Sequence, residues 1–385
     1  MSLFPDEATR LAEFPVAGER IFMAHAGVTI LPRRSCDAMK AHVTASCERH
    51  QEFGGVLRDV SKARAVCARL IGSSPDEIAL LGPTSLGLSL FANGLNWRPG
   101  DEVVCYRGDY PANVYPWTAL ASRGVVVKSV KPETPGRITP DVIARALTPR
   151  TRLVALASCH FLSGWRIDVD AIGSLLHERG VLFSVDAIQT LGAAPLSTKH
   201  VDFLSADAHK WMLGPLAIGI VYVAKRNFDL CRPTLLGAWN VRSPEFVAQD
   251  EIVFEETARR YEPGVLNVTG LYGMIASLDM LLTLGIDRVQ GAILAVRDQL
   301  ENDLRELGFS FLSPDSTEPL RSGIVTARHR EIPAARFYSA LEKAGVDASL
   351  RTGSDGTQWL RFSPHFYNTP EEVERVAGIL KSVRN

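Results

Sequence analysis

The stretch SADAHKWMLGP, residues 205–215, decides how this chain reads. An apolar run containing one aspartate, residues 201–204, comes just before it. A second apolar run, residues 216–223, comes just after. Two buried strands joined by this turn hold Lys210 between them, and a lysine so placed is costly to desolvate as a cation. Lys210 is therefore a candidate for a neutral, nucleophilic amine of the kind that makes a Schiff base. A loop lysine with its head in water is the commoner situation, so the surroundings have to decide.

Upstream, apolar stretches at 77–81, 102–106, 125–130, 153–157 and 181–185 read as strands. Helical patterns at 86–95, 113–122, 139–146 and 168–179 alternate with them. Thr139 before Pro140, and Asp168, mark helix starts, and Gly180 marks a stop. Uninterrupted apolar strands alternating with amphipathic helices mean a mostly parallel sheet covered on both faces, the α/β class. Nearer the start, residues 7–14 read as a short helix. Residues 33–72 carry helical periodicity broken at Gly54 and Gly55.

The pattern changes after residue 265. Helices are expected at 272–284, 286–307 and 333–344, and strands at 323–328 and 358–363. A last helix opens on the capping box of Thr369 and Glu372 with Pro370 at its first position. The expected organisation is an N-terminal segment, 1–20, packed on the small domain, a large domain over 21–265, and a smaller α+β domain over 266–385. No internal repeat or low-complexity linker is present.

Composition bounds the function. The 385 residues are 46% hydrophobic and 22% charged, with a formal net charge of -1, so nothing electrostatic favours nucleic acid or an anionic membrane as partner. The start lacks a basic region followed by an apolar core, and no apolar run approaches a membrane span, so a cytoplasmic setting is expected. The six cysteines are scattered without a Cys-x-x-Cys pair, which argues against a disulfide framework or a zinc knuckle. No metal site, phosphate-loop motif or dinucleotide fingerprint is expected.

In a sheet of this kind ligands bind beyond the carboxyl ends of the strands. Those ends offer Asp186, His160, Asp109 with Tyr110, and Thr84 with Ser85 at a helix start. Each has a plainer reading: a helix cap for Asp186, Thr84 and Ser85, a satisfied core histidine for His160, turn packing for Tyr110. Together with Lys210 they match one ligand. Pyridoxal phosphate needs a lysine for its aldehyde, an acid facing its ring nitrogen, an anion site at a helix N-terminus and a flat group over its ring.

The chain resembles the class V aminotransferases, a fold-type-I pyridoxal-phosphate group that includes cysteine desulfurases and proteins similar to selenocysteine lyase and isopenicillin N epimerase. SVDAIQ (184–189) with LG (191–192) carries the resemblance, as does VDF (201–203) leading to HK (209–210) and GP (214–215). Asp186 precedes Lys210 by 24 residues, a spacing that suits the family. DYPANVYPW (109–117) and YEPGVLN (261–267) add support.

The resemblance implies a large domain with a mostly parallel seven-stranded sheet, a smaller C-terminal domain, and a homodimer with active sites at the interface. It implies an amino acid substrate and pyridoxal 5'-phosphate as cofactor. It makes Lys210 the Schiff-base lysine and proton carrier at the substrate α-carbon, and Asp186 the partner of the ring nitrogen. His160 and Gln189 take the ring's phenolic oxygen, Thr84, Ser85 and His209 the phosphate, and Tyr110 the ring face. Asp207 orients His209 or Lys210. Arg361, with His25, falls on the substrate side, where a guanidinium pairs with the α-carboxylate. Val265 stands where the family often has a threonine reaching the partner's phosphate, and Asn267 is the candidate to replace it.

The sharpest departure concerns sulfur. Desulfurases carry a thiolate on a late loop that matches RTGSDGTQ (351–358), and the last cysteine here is Cys231. Persulfide chemistry through that loop is excluded unless another cysteine moves in. Transamination ranks first, elimination at a carbon–sulfur or β bond second, and epimerisation third. Ser354 and Asp355 help decide the substrate side chain. A non-catalytic module of the same fold is the alternative from another class.

Overall fold

The computed structural model describes residues 3–49 and 53–383. The chain opens with α1 (Glu7–Glu13), capped by Asp6, whose carboxylate accepts from the Thr9 N–H at 2.7 Å. Strand β1 (Ile21–Phe22) follows, then α2 (Arg33–Glu48) and α3 (Phe53–Ile71). The helical break therefore falls ahead of Gly54 and Gly55. Both glycines lie inside α3, where the helix tolerates them at its N-terminal turn.

Strand β2 (Ile78–Ala79) leads to α4 (Thr84–Gly94), then β3 (Glu102–Cys105), the single-turn α5 (Tyr115–Thr118), β4 (Val126–Ser129) and α6 (Pro140–Ala146). Next come β5 (Thr151–Ala157), α7 (Val169–Glu178), β6 (Leu182–Asp186), β7 (Phe203–Asp207) and β8 (Gly219–Val223). The expected helix at 113–122 is instead α5 flanked by two 3-10 turns, since Pro111 and Pro116 each remove a backbone donor.

These strands form one seven-stranded sheet in the order β2-β8-β7-β6-β5-β3-β4. Only β8 runs against the others. The sheet is covered on both faces, as its continuous apolar strands require. Val104, Val154, Phe183, Val185 and Leu204 face one core with α3 and α7. Val103, Leu153, Phe203 and Val221 face another with Leu88 and Phe91 of α4. Close contact sets the position of α4. A Cβ on Gly87 would lie 2.4 Å from Ser205 Oγ on β7, so only glycine lets the helix come so near.

The remainder is α8 (Val268–Leu284), α9 (Ile286–Glu306), β9 (Phe309–Phe311), β10 (Val325–His329), α10 (Ala334–Lys343), β11 (Val346–Asp347), β12 (Ser349–Thr352), β13 (Gln358–Phe362) and α11 (Pro370–Ser382). The capping box of Thr369 and Glu372 is present. A four-stranded antiparallel sheet, β12-β13-β10-β9, packs on α9 and α10, with α11 against both helices, around Phe337, Leu341, Leu360 and Phe362.

The apolar packing does not divide at residue 265. Leu271, Met274 and Leu278 of α8 join the large sheet's core, because this helix lies along α2 and α3. Helix α9 crosses the division: Val289 and Ile293 belong to the large core, Val296, Leu300 and Leu304 to the small one. Ile21 and Met23 also join the small core, since β1 pairs with β11. Described residues of the N-terminal segment pack on α11, with Arg10 bonding Glu372 at 2.9 Å and Phe14 stacking on Tyr367 at 4.0 Å.

Candidate active site

With only β8 reversed, the loops after β2, β3, β5, β6 and β7 open on one edge of the sheet. The strand order turns back between β3 and β5, the position where such sheets leave a crevice. A cavity of about 350 Å³ lies there, and Lys210, Asp186, Tyr110, Thr84, Arg361 and Arg351 are among the residues that line it.

Lys210 sits in the turn from β7 to β8 and is 7% exposed. The turn is strained: Leu213 and Ala217 adopt φ of 56° and 59°, a region that costs L-residues about 1–2 kcal/mol. Gly192 makes room beneath it. At φ 92°, a Cβ there would lie 2.3 Å from the Trp211 carbonyl oxygen. Burial pulls the Lys210 amine below the ordinary lysine value. Asp186 opposes this, and Arg361 and Arg351 add to it. Its Nζ lies 5.4 Å from the centre of the Tyr110 ring.

Asp186 ends β6 and is buried. Its Oδ1 accepts from the Ile188 N–H at 3.1 Å. Burial and nearby Asp109 raise its pKa, while the Ile188 N–H and Lys210 pull it back. The acid and the amine are thus each pushed towards the neutral form by the same lack of solvent.

Thr84 and Ser85 are the first two residues of α4, whose leading N–H groups have no intrahelical partner. Thr84 Oγ1 accepts from the Asp207 N–H at 2.8 Å, tying this helix start to the end of β7. Asp207 Oδ1 accepts from the Ala208 N–H at 2.8 Å. Its Oδ2 lies 3.1 Å from His209 Nδ1 without the alignment of a hydrogen bond. Asp207 therefore faces His209 and does not line the cavity, while His209 does.

Tyr110 leans over the opening, 47% exposed. Its loop is anchored by Asp109, which accepts from the N–H groups of Tyr110 at 2.8 Å and Ala157 at 3.1 Å and from Asn113 Nδ2 at 3.0 Å. Burial raises the Asp109 pKa to about 6 against these bonds. Gln189 lines the cavity with a committed amide: its Oε1 accepts from Trp211 Nε1 at 2.8 Å and its Nε2 donates to the Ala26 carbonyl at 3.0 Å.

Two expected contacts are not made in this chain, those of His160 and His25. His160 Nε2 bonds the Gly108 carbonyl at 2.9 Å and Nδ1 bonds Ser163 Oγ at 2.8 Å. Burial lowers its pKa to about 4. Its ring is a satisfied core group, and Phe161 reaches the cavity in its place. His25 is fully buried between Thr29 Oγ1 at 2.6 Å and the Tyr367 hydroxyl at 3.0 Å. Behind the cavity wall, it touches no substrate space. Asn267 caps α8, accepting from the Gly270 N–H at 3.0 Å, and does not line the cavity.

Arg361, in the middle of β13, is 1% exposed. Its Nη1 donates to the Phe161 carbonyl at 2.7 Å, while Nε and Nη2 have no partner. Burial and Arg351 lower its pKa to about 9. Arg351 lines the same cavity with an unpartnered Nε. The sequence reading missed it. The signal was strand register: Ser349 pairs with Arg361, so position 351 falls on the same sheet face as Arg361.

These features fit pyridoxal phosphate. Lys210 would carry the aldehyde. Asp186 would receive a protonated ring nitrogen, which supplies the cation that burial otherwise denies it. The start of α4 with Thr84, Ser85 and His209 suits the phosphate, and Tyr110 would offer its face to the ring. Cavity-lining residues include no cysteine. Cys159 and Cys105 are fully buried, and burial raises both thiols to about 11.

The profile of the family described as aminotransferase class-V matches residues 21–376. The chain belongs to that family. Pyridoxal 5'-phosphate is its cofactor. Similar class-V relatives include a probable cysteine desulfurase of Methanothermobacter thermautotrophicus, 29% identical over 85% of this chain and 84% of that protein. Another is isopenicillin N epimerase of Streptomyces clavuligerus, 28% identical over 92% of each. Among solved structures, the apo cysteine desulfurase of Thermococcus onnurineus superposes with a TM-score of 0.90 at 22% identity, over 100% of this chain and 99% of that one. That likeness establishes the class-V fold.

Proposed function

We propose that this class-V enzyme transfers the amino group of an amino acid. The observation that carries the reading is the convergence of Lys210, Asp186 and Arg361 on one cavity whose lining includes no thiol. When bound, pyridoxal phosphate supplies an electron sink for the bond changes at the substrate α-carbon. Arg361 presents its free Nε and Nη2 to the α-carboxylate in a bidentate grip, which orients that carbon. Lys210, with a lowered pKa, is poised to take and return the α-proton near neutral pH. Asp186 would hold positive charge at the ring nitrogen. Tyr110 and Phe161 wall the site against water.

A homodimer accompanies this proposal. Leu236, Phe246, Val247, Ile252 and Val265 are 56%, 67%, 59%, 61% and 71% exposed, an apolar exposure typical of a covered surface. Equilibrium sedimentation reads the mass directly, and a monomer would sink this part. A cytoplasmic setting is part of the same proposal.

The test of the reaction is simple. The holoenzyme is mixed with an amino acid donor and a 2-oxo acid acceptor. A new amino acid formed in step with donor loss is the expected result. Oxo acid and ammonia released without an acceptor would instead mark elimination, and loss of optical activity alone would mark epimerisation.

A further inference from the structure

Arg361 is not the only cation in the substrate end of the cavity. Arg351 and Arg361 stand on the same face of the β12–β13 pair. Their Nη2 atoms both lie 3.7 Å from the position that a Cβ on Gly27 would occupy. The two guanidiniums thus share one small space, cleared by the missing side chain of Gly27. Nε of Arg351, and Nε and Nη2 of Arg361, are buried without a hydrogen-bond partner. Among the described residues no carboxylate pairs with either guanidinium, although the chain pairs many other arginines, including Arg10, Arg64, Arg297 and Arg321.

A buried guanidinium, Arg361, and a half-buried one, Arg351, held together repel each other and lose part of their hydration. Each lowers the proton affinity of Lys210, and Arg351 lowers that of Arg361. The start of α4 with Thr84, Ser85 and His209 offers a phosphate its own donors elsewhere along the cavity wall. One α-carboxylate satisfies one guanidinium. The second still faces the cavity with donors unused.

We infer that Arg351 binds a second anionic group on the substrate, so that the enzyme acts on amino acids whose side chain ends in a carboxylate or a sulfinate. This rests on the proposed amino acid chemistry and names the substrate class of that same site. A planar fork matches such an oxyanion in two hydrogen bonds. An amide of equal size would leave those donors poorly met, which is the physical basis of discrimination.

The test uses the holoenzyme and follows the cofactor's visible absorbance as amino acids are added. Aspartate, glutamate and cysteine sulfinate are compared with asparagine, glutamine and alanine. Wild type is expected to bind an acidic amino acid at least about tenfold more tightly than its amide. Arg351→Gln is expected to remove that preference by weakening acidic amino acids far more than alanine, and Arg351→Lys to restore part of it. Equal binding of acid and amide by wild type overturns the inference alone. So does an Arg351→Gln protein that loses all substrates equally, which would mean both arginines grip one carboxylate. A holoenzyme that responds to no amino acid, acidic or neutral, overturns the inference together with the proposed function.

Discussion

Trp211, the residue after Lys210, donates its indole N–H to Gln189 Oε1 at 2.8 Å. Gln189 in turn reaches Ala26, whose N–H donates to Ser363 Oγ at 2.9 Å. One amide side chain thereby fixes the lysine turn to the loop after β6 and to the N-terminal wall of the cavity. Gln189→Met keeps the volume and leaves the buried Trp211 Nε1 without an acceptor. It is expected to cost about 1–3 kcal/mol in urea unfolding and to shift the absorbance maximum of the bound cofactor. An unchanged denaturation midpoint would show that the indole finds another acceptor.

Lys210 makes cofactor uptake depend on pH in a predictable direction. Only the neutral amine can attack an aldehyde, and burial lowers its pKa from the ordinary 10.5. The rate of pyridoxal phosphate uptake by the apoprotein is expected to rise with pH and to level off well short of that value. Asp186 raises the lysine's pKa, so in Asp186→Asn the plateau moves to still lower pH. Stopped-flow absorbance follows both profiles. In the holoenzyme, Lys210→Ala is expected to lower turnover by at least about 10²-fold through loss of the proton carrier.

His160 separates the resemblance from the geometry. Were it to act on the cofactor, its loss would lower kcat by about 10²–10⁴-fold. Its bonds to Gly108 and Ser163 make it a packing residue instead. His160→Phe is expected to destabilise the fold by about 1–3 kcal/mol through the partners left behind, with kcat near that of wild type. Thermal unfolding and steady-state rates on one preparation measure both.

Arg10 clamps the N-terminal helix to α11 through Glu372 and the Tyr367 carbonyl at 3.0 Å. Both side chains of the pair are nearly buried. Arg10→Met leaves the Glu372 carboxylate without its cation. It is expected to cost about 3–5 kcal/mol, read as a lower urea midpoint, while cofactor content stays the same.

Much of this was legible in the sequence. The parallel sheet showed in the continuous apolar runs, because a strand buried on both faces has no polar positions to hide. Lys210 and Asp186 were legible because their neighbours form a chemical set with fixed order. Strand length was not: the apolar run at 77–81 yields only two paired residues, Ile78 and Ala79, since ladder ends depend on what lies alongside. His160 and His25 were misplaced for a related reason. Sequence position puts a residue at a strand end or helix start, but the side chain's direction depends on which partner it meets first. Ser163 and Tyr367 claimed those two. Arg351 was passed over because its role depends on the pairing of β12 with β13, which the short runs of residues 349–352 and 358–362 did not announce.

The substrate space lies on a seam between two apolar cores. Lys210 is followed by Trp211 and Met212 of the large core, while Arg361 is flanked by Leu360 and Phe362 of the small one. An amino acid held by both is a rivet across that seam, so its binding free energy also serves to hold the two halves in register. The residues that would hold the cofactor, Lys210, Asp186, Thr84, Ser85 and His209, all stand at the start of α4 or at, or just past, the ends of β6 and β7 of the large sheet. A lesion confined to the small core, such as Phe337→Ala, therefore reaches the chemistry as slack in the rivet: amino acids bind more weakly while the cofactor stays seated.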